Sequence, residues 1–232
     1  MAVTLSSPSA FQFDRTRQAA PQVFEHMREQ IISLVLPPGT VLSRPELALQ
    51  YGISQTPVRD ALMRLAEEGL VDVFPQHATR VSRIDVALAR QAHFLRKSVE
   101  TEIVRTLAQA PDPALVERLR ATVARQQRML ELDDLAEFTA NDQYFHRQLY
   151  EAAAVPDLFA LVRRQSGHLD RLRRLHLPVP GKANAVLRDH TAIIDAIADG
   201  DSAAAEAALR HHLTGTLANV EDIRARFRDY LR

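Results

Sequence analysis

The 232-residue chain contains no cysteine. That absence removes disulfides, thiolate metal sites and thiol nucleophiles together, and it fits a reducing compartment. Glycine is scarce, at 7 residues, and neither common Gly-rich phosphate loop occurs, which argues against nucleotide-dependent enzymes. No apolar run approaches the roughly 20 residues that a membrane span needs. The opening segment MAVTLSSPSAFQFDRTR lacks a basic stretch followed by an apolar one, so no secretory leader is expected. The expected location is the cytoplasm, with no membrane partner. An excess of one charge is lacking too: 29 Lys and Arg balance 29 Asp and Glu. Affinity for a polyanion must therefore come from local residues and not from the field of the whole molecule.

What is present is globular in character, with 46% hydrophobic residues and length enough for two ordinary domains. Residues 1–15 read as a flexible arm with no sustained period. From about Pro21 to Leu36 the positions Val23, Met27, Ile31 and Leu34 recur at helical spacing, and the LPPG run at 36–39 ends that helix. Ser43 and Glu46 form an S-x-x-E capping box, and Gly52 stops a helix of about two turns. A second helix follows, with Ser54 as its cap, Pro57 in its first turn, Val58, Leu62 and Leu65 as its apolar stripe, and Gly69 as its end. Alternation at Val71 and Val73, resumed at Arg80 to Ser82, predicts a small hairpin. From Asp85 the pattern is uniformly helical, broken near 110–113, Asp133, 155–156, 178–182 and 200–201. The expected fold is mainly α: a winged helix-turn-helix over 16–83, then a six- to seven-helix antiparallel bundle over 84–232.

Two short helices around a tight turn, followed by a hairpin, are the order of a winged helix-turn-helix, whose second helix enters the major groove. Gln55, Thr56, Arg59 and Arg64 fall near the start of that helix or opposite its apolar stripe. Arginine forks suit guanine edges, glutamine suits adenine, and a helix N-terminus suits phosphate. Arg44, and His77 and Arg80 of the wing, complete the candidate DNA-binding set. By pattern alone, the same residues also fit solvated polar side chains on a structural helical hairpin.

The stretch LPPGTVLSRPELALQYGISQTPVRDALMRLAEEGLVDVFPQHATRVS resembles the DNA-binding domain of GntR-type transcriptional regulators. That family's usual form runs P-P-G, S-x-x-x-L-A, S-R-T-P-V-R-E-A-L, L-x-x-x-G-L-V and a wing ending in V-S. Two departures stand out. Gln55 replaces the family's arginine, so base readout there should differ. His77-Ala78 replaces a basic residue and a glycine, which makes a positive-φ turn less comfortable. The resemblance implies double-stranded DNA as partner, a palindromic operator and a homodimer.

Four further side chains carry metal-ligand chemistry. Asp142 and His146 are four apart in NDQYFHRQLY, on one helix face, while His190 and His212 lie on two further helices. Three imidazoles and a carboxylate can hold a divalent ion, with zinc foremost and nickel, manganese or iron as alternatives. By itself a D-x-x-x-H pair is a weak signal, and a lone helical histidine is more often structural. The region from about Asp85 to Arg226 resembles the ligand-binding domain of the FadR branch of the GntR family. There D-x-x-F-H, a histidine opening H-x-x-I-x-x-A-I-x-x-G-D, and a later histidine form the metal site; all three are present here.

Only one of His211 and His212 can face such a site, because helical neighbours point about 100° apart. Arg96, His168 and Arg171 are candidate contacts for a small carboxylate or sugar-acid effector. Alternatives remain for each: Arg96 with Glu100 fits an i,i+4 surface salt bridge, and His168 fits a structural histidine. His26, His93 and His176 read as structural or exposed. A metal-dependent enzyme is a competing reading of the donor set, but no H-E-x-x-H arrangement or nucleophile motif accompanies it. A regulator with a purely structural metal is a third. The combination points to a repressor that reads DNA with one half and senses a metabolite with the other.

Overall fold

A computed structural model of the chain describes residues 11–74 and 79–232, and its internal contacts divide the chain between Arg83 and Ile84. In the first unit the helix α1 (Ala19–Ile32) packs on α3 (Gln55–Glu67), with α2 (Arg44–Tyr51) beside it. Val23, Met27, Ile31, Val58, Leu65 and Leu70 are fully buried between these elements. The first helix ends at Ile32, short of the expected Leu36, because Leu34 enters the left-handed region at φ +66°. Ser43 caps α2 by accepting from the Glu46 N–H at 3.4 Å, and Gly52 closes it at φ +65°. Only glycine adopts that conformation without steric cost. The expected hairpin forms from β2 (Val71–Asp72) and β3 (Thr79–Val81), and β1 (Val41–Leu42) pairs with the other edge of β3 in a β1-β3-β2 sheet. Two residues are too few to show a period, so β1 left no sequence signal.

Phe11 and Phe13 lie within the stretch expected to be a loose arm, yet they pack against the first unit's core. Their rings meet edge to face at 4.9 Å, and Phe11 also meets Tyr51 edge to face and His26 at a tilt. Aromatic area buried in this cluster outweighs the entropy of leaving the segment free.

The second unit is wholly helical apart from a short bridge between Ile84 and Leu231. Its helices are α4 (Val86–Gln109), α5 (Pro113–Glu131), α6 (Leu135–Ala152), α7 (Pro156–Gln165), α8 (Gly167–His176), α9 (Lys182–Ala198), α10 (Ser202–Ala218) and α11 (Val220–Arg226). Four begin on the same device: Asp85, Asp112, Asp134 and Asp201 each accept a first-turn N–H through the side chain. There are eight helices where six to seven were expected, because the chain also breaks at Ser166 and Asn219. At Ser166 the hydroxyl donates to the Val162 carbonyl at 2.7 Å. The break at Asn219 carries neither glycine nor proline, whereas the break at Ser166 runs into Gly167, a Ser-Gly pair of the kind that marks such points in a sequence. Helix α4 packs along α10, α9 and α8, while α5 packs on α6 and α9. Phe145, Leu149, Ile193, Ile197 and Leu209 fill the space between them.

Candidate metal centre and nucleic-acid interface

In the helical unit, Asp142 and His146 project from α6, His190 from α9 and His212 from α10. All four are buried, and their ligand atoms lie within 4.8 Å of one another. Nε2 of His146 stands 3.2 Å from Nε2 of His212, and Nε2 of His190 stands 3.5 Å from Asp142 Oδ1. His211 points away with its side chain 82% exposed, so of the adjacent pair only His212 faces inward.

Each outward nitrogen has an acceptor beside it, and that of His190 makes a hydrogen bond while those of His146 and His212 stand at ion-pair distance without one. His190 Nδ1 lies 2.9 Å from Gln126 Oε1, His146 Nδ1 lies 2.9 Å from Glu100 Oε2, and His212 Nδ1 lies 3.5 Å from Asp189 Oδ2. Ionised carboxylates only accept, and Gln126 uses its amide N–H toward the Phe138 carbonyl, leaving its oxygen as acceptor. With each imidazole proton on Nδ1, toward these acceptors, each Nε2 presents a lone pair to the centre. None of these three partners was legible in the sequence.

Electrostatics tune the same donors. Burial alone would raise the Glu100 carboxyl, but Arg96 and His146 outweigh it and hold it far below the usual carboxylate range. Burial would raise Asp142 as well, yet Arg173, 2.5 Å from its Oδ2, and the imidazoles hold it well below. Burial pushes His190 well below the ordinary histidine value and His212 down to about 4. At neutral pH the set is thus three neutral imidazoles and one carboxylate, the protonation state that metal binding requires.

The donors fit a divalent ion. Asp142 Oδ1 and His190 Nε2 are buried with no hydrogen-bond partner among the described residues, a costly arrangement for polar atoms. Two lone pairs facing each other at 3.2 Å repel unless a cation lies between them. Bonds of about 2.0–2.1 Å to one zinc ion would set tetrahedral neighbours about 3.3 Å apart, close to the shortest separations here.

Arg96 is buried, and its Nε donates to Glu100 Oε1 at 2.8 Å. The expected i,i+4 pair thus forms, but inside the bundle and not on a surface. Two small cavities flank the centre, of about 10 and 30 Å³, and both are bordered by Arg96 and Arg173. His93, expected to be structural or exposed, borders the larger one. His168 and Arg171 border neither cavity. His168 Nδ1 accepts the Asp85 N–H at 2.9 Å, and fully buried Arg171 reaches the Gly167 carbonyl and His168.

In the first unit, Val58, Ala61, Leu62 and Leu65 face inward, leaving Gln55, Thr56, Arg59 and Arg64 exposed on α3. Arg44 and Arg80 are exposed as well; His77 falls outside the described residues. Arg64 differs from the rest, since its guanidinium rests 4.1 Å above the Phe24 ring, on the flank toward α1. Arg59 lies 3.2 Å from Asp60 with both side chains well exposed. Ser54 occupies the cap position without a side-chain capping bond, so the first-turn amides of α3 stay available to an acceptor such as phosphate.

Residues 19–81 match the model of the bacterial regulatory proteins, gntR family, and residues 91–215 match the FCD domain. The chain is 40% identical over 203 residues to an uncharacterized HTH-type transcriptional regulator in an unstable DNA locus of Streptomyces ambofaciens, covering 88% of this chain and 85% of that protein. It is 27% identical over 219 residues to the HTH-type transcriptional repressor RspR of Escherichia coli strain K12, covering 94% of this chain and 96% of that one. The solved structure of E. coli McbR/YncC shares the fold, with a TM-score of 0.75 at 20% identity over 89% of this chain and 98% of that one.

Proposed function

The chain belongs to the gntR family of bacterial regulatory proteins and is a transcriptional regulator, not an enzyme; from that premise we propose that it is a cytoplasmic repressor whose operator binding is modulated by a small carboxylate or sugar acid held at a divalent metal. The observation that carries this reading is the convergence of three Nε2 lone pairs and a carboxylate, each imidazole oriented from behind by Gln126, Glu100 or Asp189. Asp142, His146, His190 and His212 hold the ion, zinc foremost. When bound, the ion supplies a Lewis-acidic anchor for a carboxylate oxygen. Arg96, on the rim of both cavities, offers the second point of a clamp.

Operator recognition falls to the exposed face of α3, with Gln55, Thr56 and Arg59 toward base edges and Arg44, Arg64 and Arg80 toward the backbone. One such helix covers a half-site, so the working species is a homodimer on a palindrome. Analytical ultracentrifugation, free and on DNA, tests that; a monomer in both states refutes it. The repressor sense rests on the likeness to the relative named as a repressor.

The small cavities favour a second reading, in which the ion is purely structural, because 10 to 30 Å³ admits no more than about one water. Elemental analysis together with operator affinity, measured with and without candidate acids, separates the two. An acid that weakens operator binding only in metal-loaded protein supports sensing. Metal-loaded protein indifferent to every acid supports the structural role.

A further inference from the structure

Lys182 opens α9 at the rim of the larger cavity, facing His212, Arg96 and Arg173. Arg96 and Arg173 each have a carboxylate partner, Glu100 and Asp142 respectively. The Lys182 side chain makes no hydrogen bond or ion pair among the described residues, and no carboxylate lines this cavity. Burial, with Arg173, holds the ammonium below the ordinary lysine range against the opposing pull of Asp189 and Asp142, the mark of a cation drawn from water and only partly compensated. Space has been left for it: a Cβ on Gly215 would lie 2.8 Å from its Nζ.

Gly215 follows His212 by three positions on α10, a rise of about 4.5 Å along the helix. The ammonium therefore stands about one helical turn from His212, bordering the same cavity. We propose that Lys182 is the second anion subsite of the effector pocket, and that the effector is a short dicarboxylate of about four or five carbons. One carboxylate sits at the metal and the other at Lys182. This rests on the metal-anchored reading above and goes beyond it by assigning the ligand's charge and length. Arg96 and Arg173 border both cavities, so they form the partition between them. Their withdrawal toward the incoming carboxylates would merge the two spaces.

The test uses full-length zinc-loaded protein, titrated calorimetrically with succinate and with butyrate, which share chain length and differ in one carboxylate. Succinate should bind at least about tenfold tighter, the scale of one charge-assisted hydrogen bond. Lys182→Met should erase that difference while zinc content, read by elemental analysis, stays at the wild-type level. Gly215→Ala, which drives a methyl into the ammonium, should shrink it too. Equal affinities in the wild type, or a difference that persists in Lys182→Met, would overturn the lysine subsite alone. Binding of neither acid would overturn the metal-anchored reading and this proposal with it.

Discussion

Gln126 Oε1 lies 2.9 Å from Nδ1 of His190, and this contact decides which nitrogen of the histidine faces Asp142. Helix α5 contributes no metal donor, yet through Gln126 it sets the tautomer of one. Gln126→Leu should keep the fold and weaken metal binding by about 10–100-fold, as loss of an outer hydrogen-bond partner does elsewhere. Competition with a chelator of known affinity measures this; unchanged metal affinity would show that the contact is incidental.

His190→Ala removes a donor outright. Metal content should fall, thermal stability should drop, and the response of operator binding to acid should be blunted, while operator affinity without acid stays close to wild type. Full metal occupancy with an undiminished response would mean that His190 is not a ligand. If acid does release DNA, linkage requires DNA to weaken acid binding by the same factor, typically about 5–150-fold.

Acidification should destabilise the metal-free protein. Burial lowers the folded-state pKa of His212 from 6.5 to about 4, so between those values the unfolded chain takes up a proton that the folded one refuses. Stability is therefore full above about pH 6.5 and is lost as pH falls toward 4, by up to about 3 kcal/mol from this group. His146 and His190 shift in the same direction and add to the loss. Melting temperatures of metal-free protein from pH 8 to 5 should fall toward acid; a flat profile would contradict the assignment of buried neutral imidazoles.

Arg59→Ala should weaken operator binding by about 1–3 kcal/mol if its fork reads a guanine, and relax preference at that base. Its partner among the described residues is the exposed Asp60 side chain, so little stability is at stake. Equal affinity and consensus for both proteins would take Arg59 out of the reading set.

Gln55 stands exposed at the first position of α3. Gln55→Arg should move the preference at one base per half-site toward guanine, because the two side chains match different edge patterns. In vitro selection with both proteins reads this directly, and identical consensus sequences would refute it.

Most of the helical ends could be read in advance because they are local. Ser43 with Glu46, the aspartates at 85, 112, 134 and 201, and Gly52 and Gly200 act within a few residues of themselves. The break at Asn219 escaped because a bend held by packing leaves no compositional mark, while Ser166-Gly167 is a local turn signal set inside an otherwise helical pattern. Phe11 and Phe13 escaped because their partners, His26 and Tyr51, are remote in the chain.

The two-part plan and the apolar stripe of α3 were legible along the chain, and the family resemblance singled out four side chains as candidate metal donors. Spacing along a helix and the chemistry of residue types are properties of short segments. That Asp142, His146, His190 and His212 meet, with Gln126 bonded to His190 and Glu100 and Asp189 beside the other two imidazoles, depends on how the helices pack. The same packing brings Lys182 to the rim of a cavity beside the same centre. These relations join helices whose separation in sequence carries no period. They arise when apolar stripes on α4, α5, α6, α9 and α10 pack together and fix the rotation of each helix, and with it the direction of every polar side chain buried between them.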